Sequence, residues 1–590
     1  MAMSMELIDR IRDGVIGDRR GMQTPFGTKP LVYADYTASG RSLDFVEDLI
    51  RDQVLPLYAN THSESSYTGA QTTALREQAR TIIRRAVGGS DDDQVIFCGA
   101  GATAAINKLI DILNLRLAAD LAERHALLSA IPLDQRPIVF IGPYEHHSNE
   151  LPWRESIARV KVVPLDASGQ LDIAALEQML KDYGDTQLLI GSFSAASNVT
   201  GIKTDVEGVT RLLKQHGALS FWDYAAAAPY VKISMNEERA DPVDDSRLSS
   251  SQSSNSGSYK KDAVFLSPHK FVGGPGTPGV MIVKKQVLKN SVPAIPGGGT
   301  VSFVSPEGHR FIDDHQRREE GGTPAIVEAI RAGLVFKLQQ EVGLAAIEAR
   351  ESAFIKRAIA SWQSHANIDV LGNTEAERLA IASLRIKHGE GKNRKDLHYG
   401  FVVALLNDLF GIQARGGCSC AGPYGHALLQ MDMHTSRKLE TQIQQGQMIL
   451  RPGWVRLNFN YFISEETVEY FIEAVKLIAA HGWRLLPYYC YDKTSGTWRY
   501  QDSKQDVELD LHALSFSDLL LSDPGYSVAD ANSQPLSEPL RYFLQQAEAE
   551  LTRDRTAGTY ELKMPAEAES LRWFILPQEV QPISLLSTAC

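Results

Sequence analysis

The chain has 590 residues, 43% of them hydrophobic and 22% charged, with a formal net charge of −12. This is the composition of a soluble globular protein too long for one core, and its acidic balance excludes nucleic-acid or anionic-membrane binding as a main task. Five cysteines, at 98, 418, 420, 490 and 590, make no disulfide framework, and the opening Met1–Arg10 has no apolar run of signal-peptide or membrane-span length. Both features point to a reduced, cytoplasmic setting.

After a polar lead-in over residues 1–30, the segment Pro30–Gly40 reads as a short strand entering a small-residue loop, with an amphipathic helix after it. A helical pattern covers 72–87. From there strands and helices alternate. Strands are expected at 94–98, 137–141, 160–165, 187–191 and 219–222, with helices opening near 101, 173 and 205. Such a βαβα rhythm predicts an α/β fold, a mostly parallel sheet covered by helices on both faces. In sheets of this kind chemistry gathers at the carboxyl ends of the strands.

The serine-rich stretch 239–261 lacks periodicity and reads as a surface insertion. Strand character resumes at Ala263–Leu266, stops at Ser267-Pro268, and returns at Gly279–Val283 beyond a glycine-rich loop. One long helix is expected over about 325–349, closing a large domain at 31–335. A smaller α+β domain follows at 336–485, with strands near 380–386 and 454–459, helices near 396–409 and 465–480, and a strand pair around Cys418 and Cys420. Residues 486–590 form an appendix, with an amphipathic helix expected at about 536–551.

Several residues at these strand ends could carry chemistry. Lys270, at the end of 263–266, is either a surface lysine or an amine whose desolvation makes it a nucleophile able to form a Schiff base. Asp223 is either a strand-terminal turn residue or an acid that keeps a pyridinium nitrogen protonated. The turn Gly99-Ala-Gly-Ala-Thr103 opens a helix and could offer backbone N–H groups to a phosphate. His146 is a loop histidine or a ring-stacking partner. Cys420, on a glycine-flanked loop beside Arg415, could be an activated thiol. Arg456, within an apolar strand, would serve as a carboxylate clamp or as half of a buried salt bridge.

Taken in order, the small-residue turn, the His146 loop, Ser197-Asn-x-x-Gly201, the strand-ending Asp223, Ser267-x-His-Lys270, Gly297-Gly-Gly-Thr300, Gly322-Thr-Pro324 and Arg415-x-Gly-x-x-Cys420 resemble the class V aminotransferase group of fold-type I pyridoxal-phosphate enzymes. Within that group the similarity is to cysteine desulfurases, including the desulfurase-like domain of molybdenum cofactor sulfurases, and it spans about 30–480. The resemblance implies that Lys270 carries the cofactor as a Schiff base, with Ser267, His269, Ala102 and Thr103 near its phosphate. It also implies that Asp223 pairs with the ring nitrogen, His146 stacks on the ring and Asn198 bonds the phenolic oxygen. Thr323 would reach the phosphate of a partner subunit, which implies a homodimer. Arg456 would bind the substrate carboxylate, with Arg415 nearby, and Cys420 would accept sulfur.

Two positions depart from the family. Ala226 stands where many desulfurases have a glutamine, and Ala102-Thr103-Ala104 replaces a Thr-Thr-Glu turn. The appendix is too short and too unlike to be the cofactor-binding C-terminal domain of the sulfurases. The expected activity is removal of sulfur from L-cysteine to give alanine and a Cys420 persulfide, with a sulfur-acceptor protein as partner, no metal, no nucleic acid and no membrane. The alternatives are another class V reaction (lyase, epimerase or transaminase) with Cys420 incidental, and a non-catalytic scaffold on the same fold.

Overall fold

The computed structural model describes residues 2–61, 64–184, 188–236, 259–391, 394–501, 503, 510–512, 515, 517, and 535–580 without 556, 557 and 559. All but the last three residues of the serine-rich insertion expected at 239–261 lie outside the described residues.

Seven strands make the central sheet: β1 (Asp93–Phe97), β2 (Ile138–Ile141), β3 (Arg159–Val162), β4 (Leu189–Ser194), β5 (Leu219–Asp223), β6 (Ala263–Leu266) and β7 (Val280–Lys284). Their spatial order is β1-β7-β6-β5-β4-β2-β3. Only β7 runs antiparallel to its neighbours; the other pairings are parallel. The strands β2, β4, β6 and β7 are buried along their whole length. This is why they read as unbroken apolar runs rather than alternating ones. Val139 and Ile141 pack on one face with Ile106 and Leu109 of the helix Gly101–Ile112, while Ile138 and Phe140 belong to the core on the other face. Six parallel strands therefore send their carboxyl ends to one edge.

A second, five-stranded antiparallel sheet contains β8 (Ile368–Val370), β9 (Ile381–His388), β10 (Arg415–Gly417) and β11 (Trp454–Asn458), in the order β8-β9-β11-β10, with Lys395–Asp396 beside β9. The helix expected over 325–349 is two helices, Ile326–Val342 and Leu344–Gln363. Gly343, at φ +88°, breaks them, a conformation that costs a residue with a Cβ and not glycine. The boundary expected after residue 335 falls within the first of these helices. Near the N-terminus, Val32–Tyr33 pairs in parallel with Ile412–Gln413, so the start of the chain is tied to its later part.

The appendix contains more structure than its sequence suggested. A hairpin, Tyr489–Asp492 with Thr497–Tyr500, follows the helix Glu465–His481 and a short 3-10 segment. The appended helix runs Leu540–Thr552, beginning later than expected because Pro539 sits at its N-cap and a proline has no N–H to give to an earlier turn. It buries Leu540, Phe543, Ala547 and Leu551. The buried Lys29 ammonium donates to Gln546 on this helix at 3.0 Å. Among the described residues, no helix is long and apolar enough to cross a membrane.

Candidate active site

The carboxyl edge of the large sheet and the loop after β10 enclose a cavity of about 480 Å³. Lys270, Asp223, His146, Asn198, Ala102, Thr103, Ser267, His269, Arg415, Arg456 and Cys420 all line it. Residues scattered over more than 350 positions of sequence thus meet: those of the large domain follow the carboxyl ends of its parallel strands, while Arg415, Arg456 and Cys420 come from β10, β11 and the loop after β10 in the second sheet. Thr323 does not join them; it is exposed elsewhere on the surface.

Lys270 lies in the short turn after β6. Burial pushes its ammonium down to about 8, opposed by Asp223 and assisted by Arg456. Asp223, at the end of β5, is 5% exposed. Burial raises its carboxyl, offset by a hydrogen bond from the Ala225 N–H and by the Lys270 charge; the Ala225 bond is 2.8 Å long. His146 and His269 are both pushed down to about 4 by burial and by the Lys270 charge, so both are neutral at pH 7. The Nδ1 of His146 accepts from the Ser148 N–H at 3.1 Å, which leaves Nε2 as the protonated nitrogen.

The helix opening after β1 is built closely. The Ala102 N–H donates to Ser267 Oγ at 2.9 Å, and Thr103 Oγ1 lies 2.7 Å from Ser148 Oγ. Gly101, at φ +56°, is the residue that allows this, since a Cβ there would stand 2.9 Å from Ser267 Oγ and 3.0 Å from the His269 ring. The Ala102 N–H, expected to face a phosphate, is therefore already occupied by Ser267. Asn198 differs in a similar way: its Nδ2 donates to the Ser419 carbonyl at 2.8 Å, while its buried Oδ1 has no hydrogen-bond partner.

The cysteine loop is short and tied down. Ser419 and Cys420 both have positive φ, +53° and +55°, and the Ala421 N–H closes the turn onto the Cys418 carbonyl at 3.2 Å. The Cys420 carbonyl accepts from the His147 N–H at 2.8 Å. Trp454 Nε1 donates to Ser419 Oγ at 3.2 Å, and the Gly422 N–H donates to His147 Nε2 at 3.0 Å. Cys418 and Cys420 are both exposed.

Arg456, on β11, is 4% exposed. Its two possible roles coexist: it lines the cavity, and it also forms a buried salt bridge, Nη2 to Asp35 Oδ1 at 2.8 Å, with Nη1 on the Asn198 carbonyl at 3.1 Å. Arg415 Nε holds the other oxygen of the same carboxylate, Asp35 Oδ2, at 2.9 Å. The charge placed beside the Cys420 thiol by the loop sequence is thus bound to Asp35.

Sequence reasoning passed over Asp35 and Glu145. Asp35 had the signature that singled out Asp223, an acid ending a strand before a run of small residues. Glu145 adjoins His146 and is buried. Its Oε1 accepts from the N–H groups of Gly142 and Ser194 at 3.1 and 2.9 Å, and its Oε2 from Asn149 Nδ2 and Ser194 Oγ at 2.8 and 2.5 Å. It staples the ends of β2 and β4 together. Burial, reinforced by the Asp223 charge, pushes its carboxyl up to about 7 against these hydrogen bonds.

The sequence matches the family Aminotransferase class-V over residues 32–243 and 242–471. A probable cysteine desulfurase of Halalkalibacterium halodurans is 27% identical over 403 residues, covering 67% of this chain and 85% of that one. One from Staphylococcus aureus is 26% identical over 399 residues, covering 67% and 84%. In fold the chain is similar to the apo cysteine desulfurase of Thermococcus onnurineus, with a TM-score of 0.57 at 22% identity over 76% of this chain and 95% of that one. It is also similar to a cysteine desulfurase of Escherichia coli, with a TM-score of 0.54 at 19% identity over 77% and 96%. With the family match running through most of both sheets and through every strand end that builds the cavity, the chain belongs to the class V aminotransferase family of pyridoxal-phosphate-dependent enzymes.

Proposed function

We propose that this chain is a cysteine desulfurase-like enzyme, which takes sulfur from L-cysteine and leaves alanine and a Cys420 persulfide. The observation that carries the reading is the meeting of Lys270, Asp223, Arg456 and Cys420 in one cavity. The residues fit pyridoxal 5'-phosphate on several counts. Asn198, which lines the cavity, keeps a buried Oδ1 without a hydrogen-bond partner. Ala196, Ala225 and Ala226 leave room for a flat ring, and Gly101 keeps the helix opening clear where a side chain would intrude.

When bound, the cofactor supplies an electron sink for the bonding electrons of the substrate. Asp223 would hold a proton on its ring nitrogen, and Lys270, Ser267, His269 and Thr103, which line the same cavity, would hold the rest of it. Arg456 orients the substrate carboxylate by charge-assisted hydrogen bonds, with Arg415 at the mouth. An amine at about 8 is neutral often enough at pH 7 to take a proton from the substrate and return it to the product. The Cys420 thiolate attacks the substrate sulfur. The sulfur–carbon bond breaks as the new sulfur–sulfur bond forms, and a proton completes the methyl group of alanine. We read Thr323 as serving the cavity of a second copy in a homodimer, a reading supported by its exposure and by the exposed Phe303 and Val304 on the hairpin formed by Val301–Ser305 and Gly308–Phe311.

The test is product analysis with L-cysteine. One alanine is expected per persulfide, with the persulfide mapped by mass spectrometry to Cys420. Cys420→Ala should bind cofactor and make no persulfide. Pyruvate or a racemised amino acid as the product would replace this reading with another class V reaction.

A further inference from the structure

Arg415 and Arg456 are directly opposite each other on the antiparallel strands β10 and β11. Like charges in that register repel, and Arg456 is almost wholly buried, where salt screens little. A single carboxylate resolves the conflict. Asp35 gives one oxygen to each guanidinium, at 2.8 and 2.9 Å. It is 8% exposed and rigidly delivered, since the Ala34 N–H donates to the Gln413 carbonyl at 3.0 Å and the Ala34 carbonyl accepts from the Asn458 N–H at 2.9 Å.

We propose that Asp35 is a specificity-determining residue that sets this end of the cavity to accept one negative charge in the substrate and to reject two. Two guanidinium cations and one carboxylate leave a single positive charge. The other charged groups lining the cavity, Lys270 and Asp223, already interact with each other, and its two histidines are neutral. Arg456 keeps Nε without a hydrogen-bond partner, and Arg415 has a side chain 54% exposed. An amino acid with one carboxylate matches this balance. A second anionic group finds no further free cation among the described residues that line the cavity, and the Asp35 carboxylate held between the two guanidinium groups opposes it.

The inference rests on Arg456 as the carboxylate clamp. It is tested with 3-mercaptopropionate, which has one carboxylate, and mercaptosuccinate, which has two. Each is measured as an inhibitor of the cofactor-loaded enzyme and by isothermal titration into the cofactor-free protein. The wild type should favour 3-mercaptopropionate. Asp35→Asn should shift the affinity ratio toward mercaptosuccinate by tenfold or more. Arg415→Gln, at a half-exposed position that folding tolerates, should shift it the other way. A merely structural role predicts that both ligands weaken in equal proportion in both variants, and that result overturns the proposal. If Arg456→Gln weakens both ligands while Asp35→Asn and Arg415→Gln leave the ratio fixed, the clamp stands and only the specificity role falls. If Arg456→Gln changes neither ligand, the clamp reading itself falls and this inference goes with it.

Discussion

Lys270 gives the most quantitative prediction. A free lysine titrates near 10.5, and enclosure brings this one to about 8. Only the neutral amine captures an aldehyde. At pH 7 about one Lys270 in ten is neutral, against about one in three thousand for an unperturbed lysine, roughly a 300-fold advantage. The rate of pyridoxal phosphate capture by the cofactor-free protein, followed by stopped-flow absorbance from pH 6.5 to 10, should rise about tenfold per pH unit and level off above 8. The neighbouring charges give the sign of two shifts. Arg456→Met removes a cation that disfavours protonation, so the break should move to higher pH, by on the order of one unit. Asp223→Asn removes an anion that favours it, so the break should move down. A rate that climbs through pH 10 without a break, or shifts of the opposite sign, would refute the reasoning.

Gly101→Ala should weaken pyridoxal phosphate binding at least tenfold by fluorescence titration, because alanine resists positive φ and its Cβ would press on Ser267 and His269. Glu145 titrates upward, from 4.5 to about 7. The stability it contributes is therefore full below 4.5 and lost as pH rises through 7, about 3 kcal/mol in all. Glu145→Gln, which imitates the protonated acid, should gain thermal midpoint relative to wild type between pH 5 and pH 8; a difference independent of pH would contradict the raised carboxyl. Phe543→Ala, which empties a core position of the appended helix, should cost about 3–5 kcal/mol and lower the first thermal transition of the whole chain.

The strands that carry the site were legible because each is an apolar run halted by a small or polar residue, and β4, β5 and β6 end where those residues stand. Lys270 and Asp223 stood out as candidates by that signature and His146 by its place in the loop after β2, while their roles came from the family resemblance. Asp35 shares it and was passed over because its partners, Arg415 and Arg456, lie about 380 and 420 positions further along the chain, beyond any local pattern. Glu145 was hidden differently. Its role depends on β2 and β4 being neighbours, which strand order and not sequence order decides. The break at Gly343 was lost because apolar periodicity continues on both sides of it, and the hairpin at 489–500 because its strands are only four residues long.

The paired positive φ angles of Ser419 and Cys420 have a consequence for what happens after the reaction. Two non-glycine residues in that region cost about 1–2 kcal/mol each, and the bonds from His147, Asn198 and Trp454 offset the cost only while the loop stays where it is. Swinging the thiol outward would forfeit those bonds together. On the desulfurase reading, the sulfur waits at a fixed address in the cavity mouth, and delivery depends on the recipient. Its own nucleophile has to be carried to Cys420 on something slender enough to enter the mouth beside Arg415.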